Sequence, residues 1–591
     1  MLYVQEGLNG TPRVLIDPNK LSADGTVALG TIAVSNSARF LAYGVSKAGS
    51  DWTQIQVVNI ETGEVQRDNI DWAKFSGVSW VEDDGFYYSA YDKPEEGKEL
   101  SKKNEFHKVF YHFMGDEQEQ DFLVYEDKQH ALRNFHAQMT DAGRYLILYG
   151  SESTSGNSIM VKDVEAKDPK FVSIIDDFKN DYSVLDNIGD KLLVSTNYKA
   201  PKYRLVLIDP LKPQPENWKD VIPESQDLLE NLALLGDKII ATYQHDVASK
   251  VSVFSLDGVK EKDVELPGVG AVSGFESDVK DTVAFYSFGT FVSPGVVYKY
   301  NVLTNTSTVF MQPKCEFKSD EYETKQVFYT SKDGTKIPMF ITSKKGLKQD
   351  GNNPVFLYGY GGFNISIKPG FAIDKAVFLE NGGVYAVANL RGGGEYGEDW
   401  HKSGTLCSKQ NVFNDFIAAA EYLVKEKYTT HDKIAINGRS NGGLLVGAVL
   451  TQRPDIAKVA LPVVGVLDML RYHKFTIGWA WATDYGKSDS LEQFNCLIKY
   501  SPLHNVKEVE YPATMVMTGD HDDRVVPAHS FKFAATLQEK QTGAAPVLIR
   551  IDTKAGHGSG KPVAKQIEEF SDLWAFVFYN LGMTFGAAPA M

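Results

Sequence analysis

The first half of the chain repeats one pattern, a turn followed by an apolar strand, and this repeat constrains the fold more than any other feature. Copies begin at residues 35, 81, 140, 186, 233 and 278, so they follow one another at intervals of 46, 59, 46, 47 and 45 residues. A second strand and turn follow each copy, and no segment here keeps a helical period of apolar residues. Such spacing is typical of the four-stranded blades of a β-propeller. A pair of β-sandwiches is the alternative, and it explains the even spacing less well.

The stretch before the first copy, "LYVQEGLNGTPRVLIDP" at residues 2–18, looks like the last strands of an earlier blade. Six copies and this fraction predict a seven-bladed propeller whose first blade is incomplete. Half a blade leaves strands with an unpaired edge, which favours aggregation or mispairing. We therefore expect the 591 residues to be less soluble and less active than a version that carries a further segment upstream.

The pattern changes after about residue 315. A hairpin is followed by apolar strands that alternate with helical segments, among them the strands "PVFLYGY", "KIAIN" and "ATMVMTG" and the helices "NVFNDFIAAAEYLVKEKY" and "AKQIEEFSDLWAFVFYNLG". This alternation predicts a largely parallel sheet covered by helices on both faces. The sequence thus predicts two domains, an all-β propeller over residues 1–315 and an α/β domain over residues 316–591.

Composition argues against several classes of protein. The formal net charge is −16 and basic runs are absent, so neither nucleic acid nor an anionic membrane is an expected partner. No apolar run is long enough to span a bilayer, and the first residues do not resemble a secretory signal. Three cysteines far apart, Cys315, Cys407 and Cys496, argue against disulfides and a CxxC zinc site and favour a reducing compartment. We expect a cytoplasmic monomer without a metal or cofactor.

Ser440 lies in "INGRSNGG", between the apolar run "KIAIN" and a helical segment. One interpretation is a glycine-rich strand-to-helix turn. The other is G-x-S-x-G, the turn that presents a nucleophilic serine in α/β hydrolases, which supply an acid and then a histidine after later strands. Here Asp520, Asp522 and Asp523 follow one later strand, and His557 follows the last. This order favours the hydrolase, and the spacing leaves the choice among the three acids open.

An acyl-transfer site also needs hydrogen-bond donors for the oxyanion of its intermediate. The backbone N–H of Asn441, directly after the serine, is one candidate. The glycine-rich stretch "FLYGYGGFN" after an earlier strand makes the Tyr360 hydroxyl the other, although an ordinary buried tyrosine is the alternative. A further motif, "RGGGEYG" at residues 391–397, matches G-x-G-x-x-G. No helix follows it at once, so we do not expect it to bind a dinucleotide.

Seven segments together resemble the prolyl oligopeptidase family, serine peptidases in which a seven-bladed propeller caps an α/β-hydrolase domain. They are "FLYGYGGFNIS", "ANLRGGGEYGEDWHKSG", "NGRSNGGLLVG", "FTIGWAWATDYGKSD", "IKYSPLHNVK", "GDHDDRVVPAHS" and "DTKAGHGSGKP". The resemblance implies hydrolysis of short peptides on the carboxyl side of proline through an acyl-enzyme. It also implies Ser440 as the nucleophile, Asp522 as the acid and His557 as the base, with Tyr360 and the N–H of Asn441 as the oxyanion donors.

The resemblance further implies which residues hold the substrate. Arg524 matches the arginine that binds a substrate carbonyl, and Trp481 matches the ring that stacks on the substrate proline. The remaining pocket residues are Phe363, Val466, Ile477 and Tyr485. A proline ring is apolar and has no N–H to donate, so an aromatic and aliphatic pocket without charge suits it. The insert "YHKFTIGWAWATDYG" has that character.

Two features depart from the family pattern. Arg439 precedes the serine, where prolyl oligopeptidases usually have glycine, and arginine there resembles the sister family oligopeptidase B, which cuts after Lys or Arg. That family places acids near the positions of Trp479 and Ala482 and lacks "DDRVVP", so cleavage after basic residues is the second interpretation. The family's N-terminal helical segment has no match at the front, so a truncated inactive form is a third. A lipase or esterase and an inactive propeller scaffold are the alternatives from other classes.

Overall fold

A computed structural model describes residues 1–558 and 561–586 of the chain. A two-stranded antiparallel sheet of β1 (Leu2–Val4) and β2 (Arg13–Ile16) comes first, at the position of the predicted incomplete blade. Ile16 packs against Tyr43 and Val45 of the sheet that follows.

Six four-stranded groups follow, one for each predicted copy, and this confirms the propeller. The first two comprise β3 (Val27–Val34), β4 (Phe40–Lys47), β5 (Thr53–Asn59), β6 (Val65–Val81), β7 (Gly85–Ala90), β8 (Lys108–Phe113) and β9 (Phe122–Glu126). They share the long strand β6, whose first part pairs with β5 and whose end pairs with β7.

The other four groups are separate four-stranded antiparallel sheets. Their strands are β10 (Asn134–Met139), β11 (Tyr145–Ser151), β12 (Ser158–Asp163) and β13 (Val172–Ile175); β14 (Tyr182–Ile188), β15 (Lys191–Thr196), β16 (Arg204–Ile208) and β17 (Lys219–Ile222); β18 (Leu228–Leu235), β19 (Lys238–His245), β20 (Ala248–Ser255) and β21 (Lys260–Val264); and β22 (Ala271–Gly274), β23 (Val283–Gly289), β24 (Val296–Asn301) and β25 (Thr306–Met311).

Apolar side chains hold successive blades together. Val109 on β8 packs with Phe135 and Leu148 on β10 and β11, which joins the second blade to the third. Similar clusters join the later blades in pairs. Each blade therefore buries its apolar faces against its neighbours, as expected for an architecture of repeated units.

The second half contains one eight-stranded sheet in the order β26-β27-β29-β28-β30-β31-β32-β33. The strands are β26 (Tyr322–Thr330), β27 (Lys336–Lys344), β28 (Val355–Gly359), β29 (Val384–Ala388), β30 (Ile434–Arg439), β31 (Val459–Val463), β32 (Ala513–Gly519) and β33 (Val547–Asp552). The first two form the predicted hairpin, and β28 to β33 are parallel to one another. The carboxyl ends of these strands therefore share one edge, where such sheets bind their ligands.

Helices cover both faces of this sheet, as the strand–helix alternation predicts. They are α1 (Ile373–Glu380), α2 (Glu398–Lys402), α3 (Gln410–Lys425), α4 (Asn441–Gln452), α5 (Ala482–Tyr485), α6 (Leu491–Tyr500), α7 (Ala528–Lys540) and α8 (Val563–Leu581). The helices α3, α4 and α7 bury their apolar residues in one core, while α1 and α8 do so in a second core on the opposite face. The predicted apolar stripe of α8 is the buried set Leu573, Trp574, Val577, Phe578 and Leu581.

The expectation drawn from the three cysteines is wrong, because Cys407 and Cys496 form a disulfide across 89 residues of sequence. Cys407 lies in the turn before α3 and Cys496 lies on α6, and their Cα atoms are 5.2 Å apart. Separation along the chain concealed the pair, since folding brings α6 against that turn. Within the described part of the chain, none of the helices has the length and apolar character that crossing a membrane requires.

Candidate active site

Ser440 lies at the turn between β30 and α4, on the edge of the sheet where the parallel strands end. Its backbone has φ 60° and ψ −117°, a conformation that is costly for any residue except glycine. The turn is also tight, because a Cβ at Gly438 would lie 2.2 Å from the carbonyl oxygen of Gly442. This strained strand–turn–helix is the geometry that exposes a serine hydroxyl in α/β hydrolases.

His557 connects Ser440 to an acid. Its Nε2 lies 2.9 Å from Ser440 Oγ, and its Nδ1 lies 2.7 Å from Asp522 Oδ2. Asp522 is buried, and its other oxygen accepts hydrogen bonds from the backbone N–H groups of Arg524 and Val525, which fix the carboxylate. The structure therefore brings the predicted serine, histidine and aspartate together in one hydrogen-bonded line.

The geometry also separates the three candidate acids. Asp520 hydrogen-bonds to the ring of its neighbour His521, at 2.6 Å. Asp523 is buried and forms an ion pair with Lys74 of the propeller, at 2.7 Å. Within the described residues, Asp522 is the only one of the three acids that hydrogen-bonds to His557. Sequence spacing could not make this distinction, because all three acids follow the same strand.

The two predicted oxyanion donors, Tyr360 and Asn441, lie after strands β28 and β30. Tyr360 follows β28, and burial raises the pKa of its hydroxyl, so the phenol stays neutral and able to donate. Asn441 begins α4, and its side-chain Nδ2 donates to the carbonyl of Tyr360, at 2.5 Å. Its Oδ1 accepts from the Tyr485 hydroxyl, at 2.9 Å. The sequence predicts a role only for the backbone N–H of Asn441, whereas its side chain also joins Tyr360 to Tyr485.

The predicted pocket residues pack into a single aromatic and aliphatic group. Val466, Ile477, Trp481 and Tyr485 are all buried in the core beside α4, and Phe363 packs against them. The rings of Phe363 and Tyr485 meet edge to face, with centroids 5.3 Å apart. Tyr472, which was not a predicted pocket residue, stacks on Trp481 with ring centroids 6.0 Å apart and also contacts Tyr485.

The insert that forms this pocket does contain a buried charge, contrary to expectation. Asp484 is fully buried, and it accepts a hydrogen bond from the backbone N–H of Phe363 at 2.9 Å. His401 lies 3.3 Å away on the other carboxylate oxygen. Burial alone would lower the pKa of His401, but Asp484 and Glu398 outweigh it and raise the pKa to about 9. The carboxylate thus holds the loop that carries Phe363 and is itself balanced by a cation.

A second buried cation supports the same loop. Lys409 donates to the carbonyl of Gly361, at 2.8 Å, and lies 5.3 Å from the centre of the Tyr485 ring. Burial lowers the pKa of Lys409 to about 8, and Asp484 acts in the opposite direction. Neither Lys409 nor Asp484 was a predicted site residue, since each lies in a segment whose chemistry is visible only after folding.

The side chain of Arg524 is bound to the propeller domain. Its guanidinium makes two hydrogen bonds to the Asp51 carboxylate, at 2.9 and 2.6 Å, and its side chain remains 38% exposed. Asp51 also donates its backbone N–H to Asp523, at 2.9 Å. The segment that follows β32 is therefore fixed to the first complete blade at two neighbouring positions, which orients Arg524 from outside its own domain.

The glycine motif at residues 391–397 has a structural explanation. Cβ atoms at Gly392 and Gly394 would lie 2.8 and 2.4 Å from the carbonyl oxygens of Gly361 and Asn364, so glycine lets this turn pass beneath the loop after β28. Arg391 is buried and forms ion pairs with Asp333 and Asp415. The motif therefore packs against the loop after β28, which gives its glycines a structural role.

Together, the eight-stranded sheet, the strained serine turn and the Ser–His–Asp line define a serine hydrolase of the α/β type with a propeller domain. Two family models match the chain: "Prolyl oligopeptidase, N-terminal beta-propeller domain" over residues 1–313 and "Prolyl oligopeptidase family" over residues 369–584. The chain therefore belongs to the prolyl oligopeptidase family.

Individual relatives agree. The chain is 48% identical to a prolyl endopeptidase of Elizabethkingia meningoseptica, over 97% of this chain and 81% of that protein. A solved structure from a study of two prolyl endopeptidases and their inter-domain dynamics is 40% identical, with a TM-score of 0.94 over 98% of this chain and 86% of the other. Oligopeptidase B of Leishmania major is more distant, at 25% identity and a TM-score of 0.87 over 97% of this chain and 81% of the other.

Proposed function

We propose that this chain is a serine endopeptidase that cleaves short peptides on the carboxyl side of proline through an acyl-enzyme. The observation that carries the proposal is the line from Ser440 through His557 to Asp522, at 2.9 and 2.7 Å, beside an aromatic pocket. The prolyl endopeptidase of Elizabethkingia meningoseptica, 48% identical over nearly the whole chain, supports the same activity.

Acylation begins when the Ser440 hydroxyl attacks the carbonyl carbon that follows the proline ring. His557 Nε2 accepts the hydroxyl proton, while Asp522 holds the ring and stabilises the imidazolium that forms. The developing oxyanion accepts hydrogen bonds from the Tyr360 hydroxyl and the N–H of Asn441. His557 then gives its proton to the leaving amine, the C–N bond breaks, and the peptide is left as an ester on Ser440.

Deacylation repeats these steps with water. His557 accepts a proton from a water molecule as its oxygen attacks the ester carbonyl, and the same two donors hold the oxyanion. The proton then returns to Ser440 Oγ as the ester bond breaks. A peptide ending in proline leaves, and the site regains its starting protonation.

Specificity follows from the shape and chemistry of the pocket. Trp481 presents an aromatic face to the proline ring, and Phe363, Val466, Ile477 and Tyr485 surround it, so the ring exchanges water for apolar contact. Arg524 binds a substrate carbonyl with a guanidinium that Asp51 already orients. The carboxylate of Asp484 lies behind the pocket, where the N–H of Phe363 and His401 occupy its oxygens.

The propeller restricts which peptides reach this site. A cavity of about 650 Å³ lies between the two domains, lined by propeller residues such as Ser183 and Leu229 and by Asn364 and Ser366 of the other domain. Propeller residues also lie against the site itself, since Asp51 binds Arg524 and the carbonyl oxygen of Gly49 lies beside Gly556. We therefore expect short or unfolded peptides to be admitted and folded proteins to be excluded. A monomeric state and a cytoplasmic location remain predictions from the sequence.

A paired assay tests the proposal. Fluorogenic peptides with the reporter after proline or after arginine are compared at equal concentration, together with labelling by a serine-reactive phosphonate. We expect turnover of the proline peptide, and we expect Ser440→Ala to lose both turnover and labelling while it keeps its melting temperature. Labelling of Ser440→Ala would disprove the proposed nucleophile. Preference for the arginine peptide would favour the oligopeptidase B interpretation.

A further inference from the structure

Arg439 is the last residue of β30 and immediately precedes Ser440, at a position where prolyl oligopeptidases usually have glycine. Its Nη2 donates a hydrogen bond to the backbone carbonyl oxygen of His557, at 2.8 Å. Its Nη1 lies 3.4 Å from Oε1 of Glu569, on α8. The side chain therefore extends from the serine turn to the loop that carries the histidine. Its polar contacts are to the backbone of that loop and to α8, and neither is to a residue of the proposed substrate pocket.

The glycines on either side of His557 fit tightly against two different surfaces. A Cβ at Gly558 would lie 2.3 Å from Arg439 Nη2, so the guanidinium occupies the space that any other side chain would need. Gly558 also has φ 129°, a conformation that favours glycine. A Cβ at Gly556 would lie 1.8 Å from the carbonyl oxygen of Gly49 in the propeller. The histidine is thus held between propeller backbone on one side and the Arg439 guanidinium on the other.

Ion pairs extend this contact to both ends of the histidine loop. Glu569, which is buried, pairs with Arg439 and also with Lys561. Lys561 in turn lies 2.6 Å from the carboxylate of Asp552, the last residue of β33. Because Asp552 begins the loop and Lys561 ends it, the chain of charges ties the two ends of the loop to the strand that carries the serine.

We propose that Arg439 is a positioning residue, which fixes the backbone of His557 relative to Ser440 so that Nε2 stays within hydrogen-bonding distance of Oγ. The proposal rests on the Ser–His–Asp assignment of the proposed function. A hydrogen bond from a charged donor is stronger than a neutral one. Small displacements of a catalytic group have large effects on rate, since a shift of about 1 Å can cost roughly a hundredfold.

Arg439→Met tests this role, because methionine keeps much of the apolar stem and removes the donors. We expect the rate of phosphonate labelling and kcat for the proline peptide to fall about tenfold each, with KM within about twofold of the unmodified value. Arg439→Lys keeps one charged donor and should recover part of the loss. Glu569→Gln removes the partner that orients the guanidinium and should produce a smaller fall in the same two rates.

Arg453→Met is the matched control, because Arg453, like Arg439, has two polar partners, here the acids Glu421 and Asp455, and lies at the far end of α4. It should change neither rate. Two results would overturn the proposal for Arg439→Met: a rise in KM with unchanged labelling and kcat, which would make Arg439 a substrate-binding residue, or a lower melting temperature with both rates unchanged. If the unmodified protein cut arginine peptides instead, the proposed specificity would fail, while the labelling rate would still test Arg439.

Discussion

Two buried histidines, one in each domain, have both ring nitrogens hydrogen-bonded and differ in a single partner. In the propeller, His112 lies between Asp121, 2.7 Å from Nδ1, and Asp68, 3.0 Å from Nε2. In the hydrolase domain, His557 lies between Asp522, 2.7 Å from Nδ1, and Ser440, 2.9 Å from Nε2. The partner of Nε2 is thus a carboxylate for His112 and a hydroxyl for His557.

This one difference separates a structural histidine from the proposed catalytic one. Two carboxylates can only accept, so both nitrogens of His112 must carry protons; burial alone would lower its pKa, but Asp121 and Asp68 raise it to about 9. A serine hydroxyl can donate, so Nε2 of His557 can act as an acceptor and take up a proton during the reaction. The partners of the ring, more than its burial, determine what each histidine does.

The most severe test exchanges each histidine for glutamine. His557→Gln removes the base, and we expect kcat to fall on the order of 10⁶-fold while the melting temperature changes little. His112→Gln leaves two buried carboxylates without a cation, so we expect a loss of about 3–5 kcal/mol in the free energy of unfolding, with kcat retained in the folded fraction. Turnover and chemical denaturation of both variants provide the measurement. Equal loss of activity in the two would show that the propeller histidine also serves catalysis.

Substituting the acids beside the two histidines tests the same comparison, and we expect a smaller effect on kcat. Asp522→Asn leaves an amide beside Nδ1 that favours the wrong tautomer of His557, and kcat should fall about 10⁴-fold in a protein that still folds. Asp121→Asn removes one of the two charges that hold His112 protonated, so its effect should appear in denaturation and not in turnover. Asp520→Asn, two positions before the proposed catalytic acid, is the control for the first variant. A loss of activity in it as large as that of Asp522→Asn would contradict the assignment of the acid.

Sequence patterns were sufficient for features that depend on local order. Strand-and-turn repeats are visible along the chain, so the six complete blades could be predicted. Ser440 could be located because it directly follows β30, and His557 because it lies in the loop after β33. Asp522 was separated from Asp520 only by resemblance to a family, since spacing alone treats the two alike. Its hydrogen bond to His557 became visible in the folded chain.

Contacts between segments far apart could not be predicted in this way. Asp51 and Arg524 are separated by 473 positions, and Cys407 and Cys496 by 89, so their pairing depends on how the domains and helices dock. Arg439 is a different case. The sequence shows that an arginine precedes the serine, but it does not show where the side chain points. Arginine before the serine suggested a preference for basic substrates, whereas its side chain binds the histidine loop.

Two buried tryptophans, one in each domain, allow the same comparison, and we expect their substitution to have smaller effects on activity. Trp481 stacks on Tyr472 in the proposed pocket, and Trp80 stacks on Phe40 inside the propeller while its N–H donates to Ala33. Trp481→Ala should lower kcat/KM for proline peptides by about tenfold to a hundredfold, since apolar and aromatic contact with the substrate is lost. Trp80→Ala should instead cost about 3–5 kcal/mol of stability with kcat/KM unchanged. Unchanged kcat/KM in Trp481→Ala would remove that ring from the proline pocket.

The smallest effect expected is the pH dependence of stability. Because the pKa of His112 is raised to about 9 in the folded chain, the stability it contributes is fully present below the unfolded value of about 6.5 and is lost as the pH rises through about 9. His401 is also raised to about 9, by Asp484 and Glu398, so each domain contains one such group. The melting temperature of the unmodified protein should therefore decline between about pH 7 and about pH 9, whereas above about pH 8 Lys409, whose folded pKa is lowered to about 8, acts in the opposite direction.

His112→Gln should flatten only part of that decline, because His401 still titrates in the other domain. The measurement is a series of melting curves at matched ionic strength, with the variant compared to the unmodified protein at each pH. If both proteins lost stability in parallel across this range, the His112 ring would not depend on its second proton. Its difference from His557 would then lie in position alone, and the hydroxyl partner would no longer explain why only one of the two histidines can act as a base.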